Sequence, residues 1–356
     1  MDFSFSPEHD ELRSMVRKLF SSSSTNAPKE TWTQLAELGL IGLAVPTDHG
    51  GSGGGLIDLG IVMEEAGRSL SPAPLLSNAV LAPAAVLAAD DDALNDEVLP
   101  ALADGSLTAG IALNAHGRIE SQETVTVTKD RGGCRLDGTA PLVLDGATAD
   151  VLVLPVSTGA GSEVFLAEAG AAGVTRGCHE NLDASRAIGH VALRDVPARR
   201  LGEAGSGSAI LARLTDVSAA MIAAEAVGGA ARTLDLTVEY ASTRHQFGRP
   251  IGSFQAVKHM CADMLLQLEA ARSAAYYALW AVETRAPDQA LAAAIAKTYA
   301  SDAFHSCAAT CVQVHGGIGF TWEHPAHRYL KRAKADQLMF GDAAWHLEQV
   351  ARSVGI

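Results

Sequence analysis

The sequence predicts an α+β fold with three consecutive parts: an N-terminal helical domain, a middle antiparallel β domain and a C-terminal bundle of the four-helix type. Three observations predict it. Apolar residues recur at helical spacing in the first part, short β-branched runs separated by Gly and Asp follow, and alanine-rich helical periodicity then returns. We therefore place the domains at 1–106, 107–204 and 205–356.

Helix signals begin the first domain. Ser6 and Pro7 can start a helix, and its apolar face would carry Leu12, Met15, Val16 and Leu19. A second amphipathic stretch stops at Pro46, and the glycine cluster at 50–55 is interpreted as a surface turn ahead of the helix LIDLGIVMEEAGRSL. We therefore expect helices joined by short breaks.

The middle and last domains differ sharply in pattern. The middle one contains the runs ETVTVTKD, GCRLDG, ADVLVLPV, EVFLAEA and HVALRDV, which are typical of short strands. In the last domain, stretches such as MIAAEAVGGAARTLDLTVEYAST permit long helices that pack closely. Glycine-rich interruptions at 248–252 and 316–319 break that helical pattern.

Composition excludes several classes of function. The 356 residues are 48% hydrophobic and 19% charged, as in a well-packed globular protein, and the net charge is −14. Because nucleic acids and anionic membranes require a basic surface, neither is an expected partner. Five scattered cysteines give no disulfide framework, and no secretory signal or membrane span is recognised, so we expect a cytoplasmic protein.

The two glycine-rich interruptions are candidates for a ligand site. Arg244 offers a forked set of donors suited to phosphate, and Gly248 lets the backbone approach a ligand. Gln313 precedes Gly316 and Gly317, whose peptide N–H groups can face an anion. Taken alone, each interruption could equally be a turn between helices.

Order and context make the sequence resemble the acyl-CoA dehydrogenase family over nearly the whole chain. The family's Tyr, followed by Arg-x-Gln-Phe-Gly-x-x-Ile, matches Tyr240 and the stretch RHQFGRPI, and its Gln-x-x-Gly-Gly-x-Gly-Phe matches QVHGGIGF at 313–320. The stretches LAELGLIGLAVPTDHGG and AAEAVG also fit the family. The acyl-CoA dehydrogenase fold is therefore expected.

The resemblance implies a tetramer in which each FAD lies between subunits. The two motifs would reach the diphosphate and adenosine end of a flavin held mainly by a neighbouring chain. The cofactor-binding residues implied here are Arg244, Gln246, Phe247, Gln313, Gly316 and Gly317.

The segments that hold the flavin ring in the family are altered. The stretch LNAHGRIES, 113–121, stands where a Thr-Glu-x-x-x-Gly-Ser-Asp loop is expected. Leu142, Val143 and Leu144 replace an aromatic residue, isoleucine and a hydroxyl residue. Since aliphatic side chains donate no hydrogen bonds, the chain is not expected to hold the redox half of FAD by itself.

The family's glutamate base is also missing. Removal of the α-proton of an acyl-CoA needs a carboxylate, but Phe340 occupies the usual position and His245 the alternative one. Asp342 is the nearest carboxylate, and Ala219 replaces an arginine that helps to place acyl-CoA. No catalytic residue is therefore assigned to this chain.

Cys307 and Cys311 are interpreted as residues that pack between helices, so no metal site is expected.

Three functions follow from these residues. In the first, the chain pairs with a paralogous acyl-CoA dehydrogenase subunit and completes its FAD site. The assembly would oxidise an acyl-CoA to the 2,3-enoyl-CoA and pass electrons to an electron-transferring flavoprotein. The family includes such α2β2 enzymes in actinobacterial steroid side-chain degradation, which suggests a steroid or another bulky acyl group. In the second, it is a homotetrameric dehydrogenase with Asp342 or His245 as an atypical base. In the third, it is a non-redox scaffold.

Overall fold

A computed structural model describes residues 5–22, 28–130 and 133–356. Residues 1–4, which contributed to the expectation of no secretory signal, lie outside this range. The helices of the first part are α1 (Pro7–Ser22), α2 (Pro28–Glu37), α3 (Leu56–Ser69), α4 (Ala82–Ala88) and α5 (Asp92–Ala103). A π-helical turn, Leu76–Leu81, leads directly into α4.

The middle part is a β-sheet. Its strands are β1 (Ala109–Leu113), β2 (Val125–Asp130), β3 (Gly133–Leu144), β4 (Val151–Thr158), β5 (Gly161–Glu168), β6 (Val174–Cys178) and β7 (Ile188–Arg200). The strand order is β2-β3-β1-β4-β5-β7-β6, and β3 also pairs with β7, so the sheet closes on itself. Every pairing among these strands is antiparallel except β1 with β4. Phe165, Leu152 and Val191 belong to the buried core of the sheet.

Long helices form the last part: α6 (Gly207–Thr243), α7 (Gln255–Glu283), α8 (Gln289–His315), α9 (Ala326–Leu338) and α10 (Ala343–Ser353). A short hairpin of β8 (His245–Gln246) and β9 (Arg249–Pro250) separates α6 from α7. Small residues let the helices approach closely. A Cβ added at Gly228 would lie 1.7 Å from the carbonyl oxygen of Glu64, so only glycine fits there.

The described residues pack into two compact units. One combines α1 with residues 60–71 and 219–356, and the other contains residues 28–59 and 72–218. A buried ion pair between Arg332 and Glu225 lies within the first unit. This grouping follows packing rather than chain order, so the domain boundaries at 106 and 204 stay a prediction.

The order of element types agrees with the predicted fold class: helices, then a mostly antiparallel sheet, then a helical bundle. None of the helices in the described ranges combines the length and the apolar character needed to cross a membrane.

Candidate functional site

The first glycine-rich segment is the β8–β9 hairpin at the end of α6. The Arg244 N–H donates to the Tyr240 carbonyl oxygen at 2.8 Å, and the Ile251 N–H donates to the Arg244 carbonyl oxygen at 2.8 Å. The turn residues Phe247 and Gly248 have φ of 54° and 76°, as a two-residue type I′ turn requires. The backbone around Arg244 is therefore fixed on both sides of the turn.

Aromatic contacts anchor the hairpin to the start of α7. The Arg249 guanidinium lies 4.0 Å from the Phe254 ring centroid, and the Phe247 ring meets Phe254 edge-on at 6.1 Å. Despite that contact, the Phe247 side chain is 90% exposed. A large apolar side chain in this state is available to a ligand or to another protein surface.

The second segment follows the end of α8. The N–H of Gly316 donates to the carbonyl oxygens of Val312 and Gln313 and so closes the helix. Gly316 has φ 63° and ψ −138°, a conformation that is essentially restricted to glycine. A Cβ added at Gly316 or Gly317 would meet no heavy atom within 4 Å, so the space beside this backbone is open.

Ring stacking joins the two segments. The Tyr240 ring stacks on His315 with centroids 4.4 Å apart, and His315 meets His324 at 4.2 Å. Tyr240 is one helical turn before Arg244, and His315 directly precedes Gly316. The structure thus brings the two candidate ligand-binding segments together within one compact unit.

The polar side chains of the two segments point outward. Arg244, Gln246 and Gln313 are exposed, and none of the three side chains bonds to any residue in the described ranges. Unpaired donors beside an accessible glycine backbone suit an anionic group with several oxygens. These residues therefore fit the diphosphate end of a dinucleotide cofactor.

The loop after β1 is held by contacts among its own polar groups. Asn114 Nδ2 donates to Glu120 Oε2 at 2.7 Å, and Asn114 Oδ1 accepts the N–H groups of His116 and Arg118 at 2.9 and 3.0 Å. Arg118 Nε lies 3.2 Å from Glu120 Oε2. The polar groups of this loop are engaged with one another.

Residues 142–144 stand where the family is expected to contact the flavin ring, and they lie on β3 in the core of the sheet. Leu142, Val143 and Leu144 pair with Leu113, Ala112 and Ile111 of β1. Val143 and Leu144 are buried and Leu142 is half-buried. Their side chains can pack against a ring, but they cannot donate a hydrogen bond to it.

Phe340 occupies a tight turn between α9 and α10. Its side chain is 2% exposed, and the turn has φ of 60° at Phe340 and 101° at Gly341. At position 340, where the resemblance implies a glutamate, the buried side chain is an aromatic ring. Ala219, where an arginine was sought, is buried in α6.

Two buried titratable side chains support this turn, and sequence reasoning missed both. Lys297 Nζ donates to the carbonyl oxygens of Gly341 at 3.0 Å and Gln337 at 3.3 Å, and burial lowers its pKa to about 8. His346 Nε2 lies 3.1 Å from the Phe340 carbonyl oxygen. Burial, with Lys297 nearby, lowers the pKa of His346 to about 4, so the neutral ring donates that bond. In the sequence, the position of Lys297 within the apolar face of a helix could have indicated its burial.

The two alternative bases have other contacts. Asp342 is the N-cap of α10, and its Oδ1 accepts the Trp345 N–H at 2.9 Å. His245 is exposed on the hairpin, with Nδ1 3.0 Å from the Thr243 carbonyl oxygen. Cys307 and Cys311 are buried, and the described part of the chain holds no cluster of three or more His, Cys, Asp or Glu residues suited to a metal.

Two family models match the chain. The one described as "Acyl-CoA dehydrogenase, C-terminal domain" matches residues 205–355, and the one described as "Acyl-CoA dehydrogenase, N-terminal domain" matches residues 6–106. The acyl-CoA dehydrogenase FadE34 of Mycobacterium tuberculosis is 38% identical over 315 residues. That match covers 88% of this chain but 40% of FadE34, so this chain spans less than half the length of that relative.

Two solved structures of similar proteins involve pairs of proteins. The Tcur3481-Tcur3483 steroid ACAD is 32% identical with a TM-score of 0.87, covering 98% of this chain and 97% of that one. The ChsE4-ChsE5 complex from Mycobacterium tuberculosis is 29% identical with a TM-score of 0.88, covering 99% of each chain.

Proposed function

This chain belongs to the acyl-CoA dehydrogenase family, and from that premise we propose that it is the non-catalytic subunit of a heteromeric flavin-dependent dehydrogenase. In this role it completes the FAD site of a catalytic paralogue. The family itself implies flavin-dependent oxidoreduction of acyl-CoA thioesters.

One observation supports the proposal. The chain retains the donors expected at the diphosphate end of FAD, but not the residues expected at the flavin ring and the base. Arg244, Gln246 and Gln313 are exposed without partners beside an open glycine backbone. In contrast, the loop after β1 is closed on itself, and the side chain at position 340, where the resemblance implies the base, is a buried phenylalanine. Residues that serve a neighbour's cofactor are kept, and those that would serve the chain's own chemistry are lost.

The residues of this chain then bind and orient rather than react. The Arg244 guanidinium would pair with diphosphate oxygens, which its forked donors match. Gln246 and Gln313 would donate amide hydrogens, the backbone at Gly316 and Gly317 would lie against the cofactor, and Phe247 would cover it from the hairpin. FAD, when bound, accepts the β-hydride of the substrate. Removal of the α-proton is left to a carboxylate of the paralogous subunit.

The proposed reaction is oxidation of an acyl-CoA to the 2,3-enoyl-CoA, with electrons passed to an electron-transferring flavoprotein. Similarity to a steroid ACAD and to a two-protein complex supports a steroid or another bulky acyl group and an α2β2 assembly.

Purification tests the proposal directly. The chain is produced alone and together with a paralogous acyl-CoA dehydrogenase chain encoded beside it, and bound flavin is measured from its visible absorbance. We expect a colourless protein alone and a yellow co-purified assembly with one FAD for every two chains. A yellow, active protein made of this chain alone would overturn the proposal.

A further inference from the structure

We propose that Tyr240, His315 and His324 form a positioning stack that sets the distance between the Arg244 hairpin and the Gly316–Gly317 turn. The inference rests on the proposed function, because it concerns how these two segments are held ready for one cofactor. None of the three rings is proposed to touch the reacting atoms.

His315 is the fixed member of the stack. It is 4% exposed, and its Nδ1 lies 2.7 Å from the carbonyl oxygen of Cys311, to which it donates. One face of the ring is stacked by Tyr240 at an interplanar angle of 26°, and His324 meets the ring at 39°. Because its edge is hydrogen-bonded and two rings pack beside it, the His315 ring cannot rotate. The chain therefore enters the turn at Gly316 from a fixed position.

Tyr240 links His315 to the hairpin. Its ring rests on His315, and its carbonyl oxygen accepts the Arg244 N–H at 2.8 Å. A displacement of Tyr240 therefore shifts Arg244 directly. His324 also contacts His315, and its Nδ1 accepts the Ala326 N–H at 3.2 Å, which links the stack to the start of α9.

This coupling matters because the backbone at the glycines of both segments is not covered by other atoms. No heavy atom would lie within 4 Å of a Cβ at Gly248, Gly316 or Gly317. Open segments of this kind hold a ligand only if their separation is set elsewhere, and sites work when groups are held within about half an ångström. The stack supplies that constraint.

The test uses the co-purified assembly stripped of FAD and titrated with FAD, with the dissociation constant and the dissociation rate as readouts. Tyr240→Leu removes the stacking ring at similar volume, and Tyr240→Phe retains it. We expect Tyr240→Leu to weaken FAD binding by roughly tenfold, since a misaligned charge-assisted hydrogen bond costs on the order of that factor. Tyr240→Phe should bind as the parent does.

A matched control separates positioning from general loss of stability. Tyr277 also lies in the bundle unit, where its ring meets Trp280 at 5.7 Å, away from the two segments. Tyr277→Leu should lower the melting temperature and leave the FAD dissociation constant unchanged. If Tyr240→Leu behaves in the same way, the positioning role is wrong.

Arg244→Ala distinguishes failure of the proposed function from failure of the positioning stack. If this variant binds FAD as tightly as the parent assembly, the proposed function has failed. If Arg244→Ala weakens binding while Tyr240→Leu does not, the proposed function stands and the positioning stack is rejected.

Discussion

Phe340 occupies a strained turn at the position where the resemblance implies the family's base. The left-handed φ of 60° is costly for an aromatic residue. The turn persists because Lys297 and His346 hold its carbonyl groups. An apolar ring at the site also removes the desolvation cost that a buried carboxylate would carry. The turn is thus well supported, with an apolar ring at the position where the resemblance implies a glutamate.

Phe340→Glu is expected to give no turnover at this chain's own position. The altered loop after β1 and the aliphatic residues 142–144 remain, and the new carboxylate would be buried, which costs several kcal/mol or raises its pKa. Activity is measured in an assembly whose catalytic subunit has lost its own glutamate, and unfolding is followed by heat. Phe340→Leu is the control, with a moderate loss of stability. Recovery of turnover by Phe340→Glu would favour a chain that holds its own flavin.

At the level of elements, helices and strands could be predicted from patterns within one segment, whereas the pairing of strands from distant segments could not. The alanine-rich periodicity predicted long helices such as α6, and alternation of β-branched residues predicted β2 and β4. The parallel pairing of β1 with β4 joins residues far apart in sequence, and no local pattern encodes it. The same holds for β3 with β7, which closes the sheet.

The candidate site divides in the same way. The proposed donors could be named from the sequence because they lie in two short motifs, with Arg244 in one and Gln313 in the other. The contacts that orient them were missed because Tyr240 and His315 meet only after α6 and α8 have packed. The support of the Phe340 turn also depends on burial of Lys297, which a sequence pattern does not report.

Stability should depend on pH through the turn between α9 and α10. His346 has a folded-state pKa of about 4, against an ordinary value of 6.5, because it is buried and lies near Lys297. The unfolded chain therefore binds the proton more readily, and stability is lost as the pH falls from 6.5 towards 4, by up to about 3 kcal/mol.

Urea unfolding of the chain and of His346→Gln at several pH values checks this dependence. A glutamine amide can still donate to the Phe340 carbonyl oxygen but does not titrate. We expect a flatter dependence in the variant over this interval. His324 and His327 also have lowered pKa values through burial, but they are present in both proteins and cancel in the difference. Equal slopes would show that His346 is not responsible.

Over the whole molecule, the proposed donors lie in one compact unit, which also contains Phe340, and the altered loop and strand lie in the other. The bundle unit carries the exposed donors Arg244, Gln246 and Gln313, and the β unit carries the self-bonded loop after β1 and the aliphatic strand end. Under the proposed function, this chain offers donors without a base. The catalytic paralogue of the proposed α2β2 assembly would hold the ring and abstract the proton.

The assembly should therefore depend on one subunit's carboxylate and not on Asp342 or His245 of this chain. Asp342→Asn keeps an N-cap of equal quality for α10, so the variant should fold normally, and His245→Gln changes an exposed side chain. With the acyl-CoA that the assembly oxidises fastest and an electron-transferring acceptor, both variants should turn over at the parent rate. Replacing the glutamate of the paralogue by glutamine should abolish turnover. Removal of a true base lowers a rate by roughly a hundredfold to ten-thousandfold, so a loss of that size in Asp342→Asn or His245→Gln would assign the base to this chain and overturn the division of labour between the subunits.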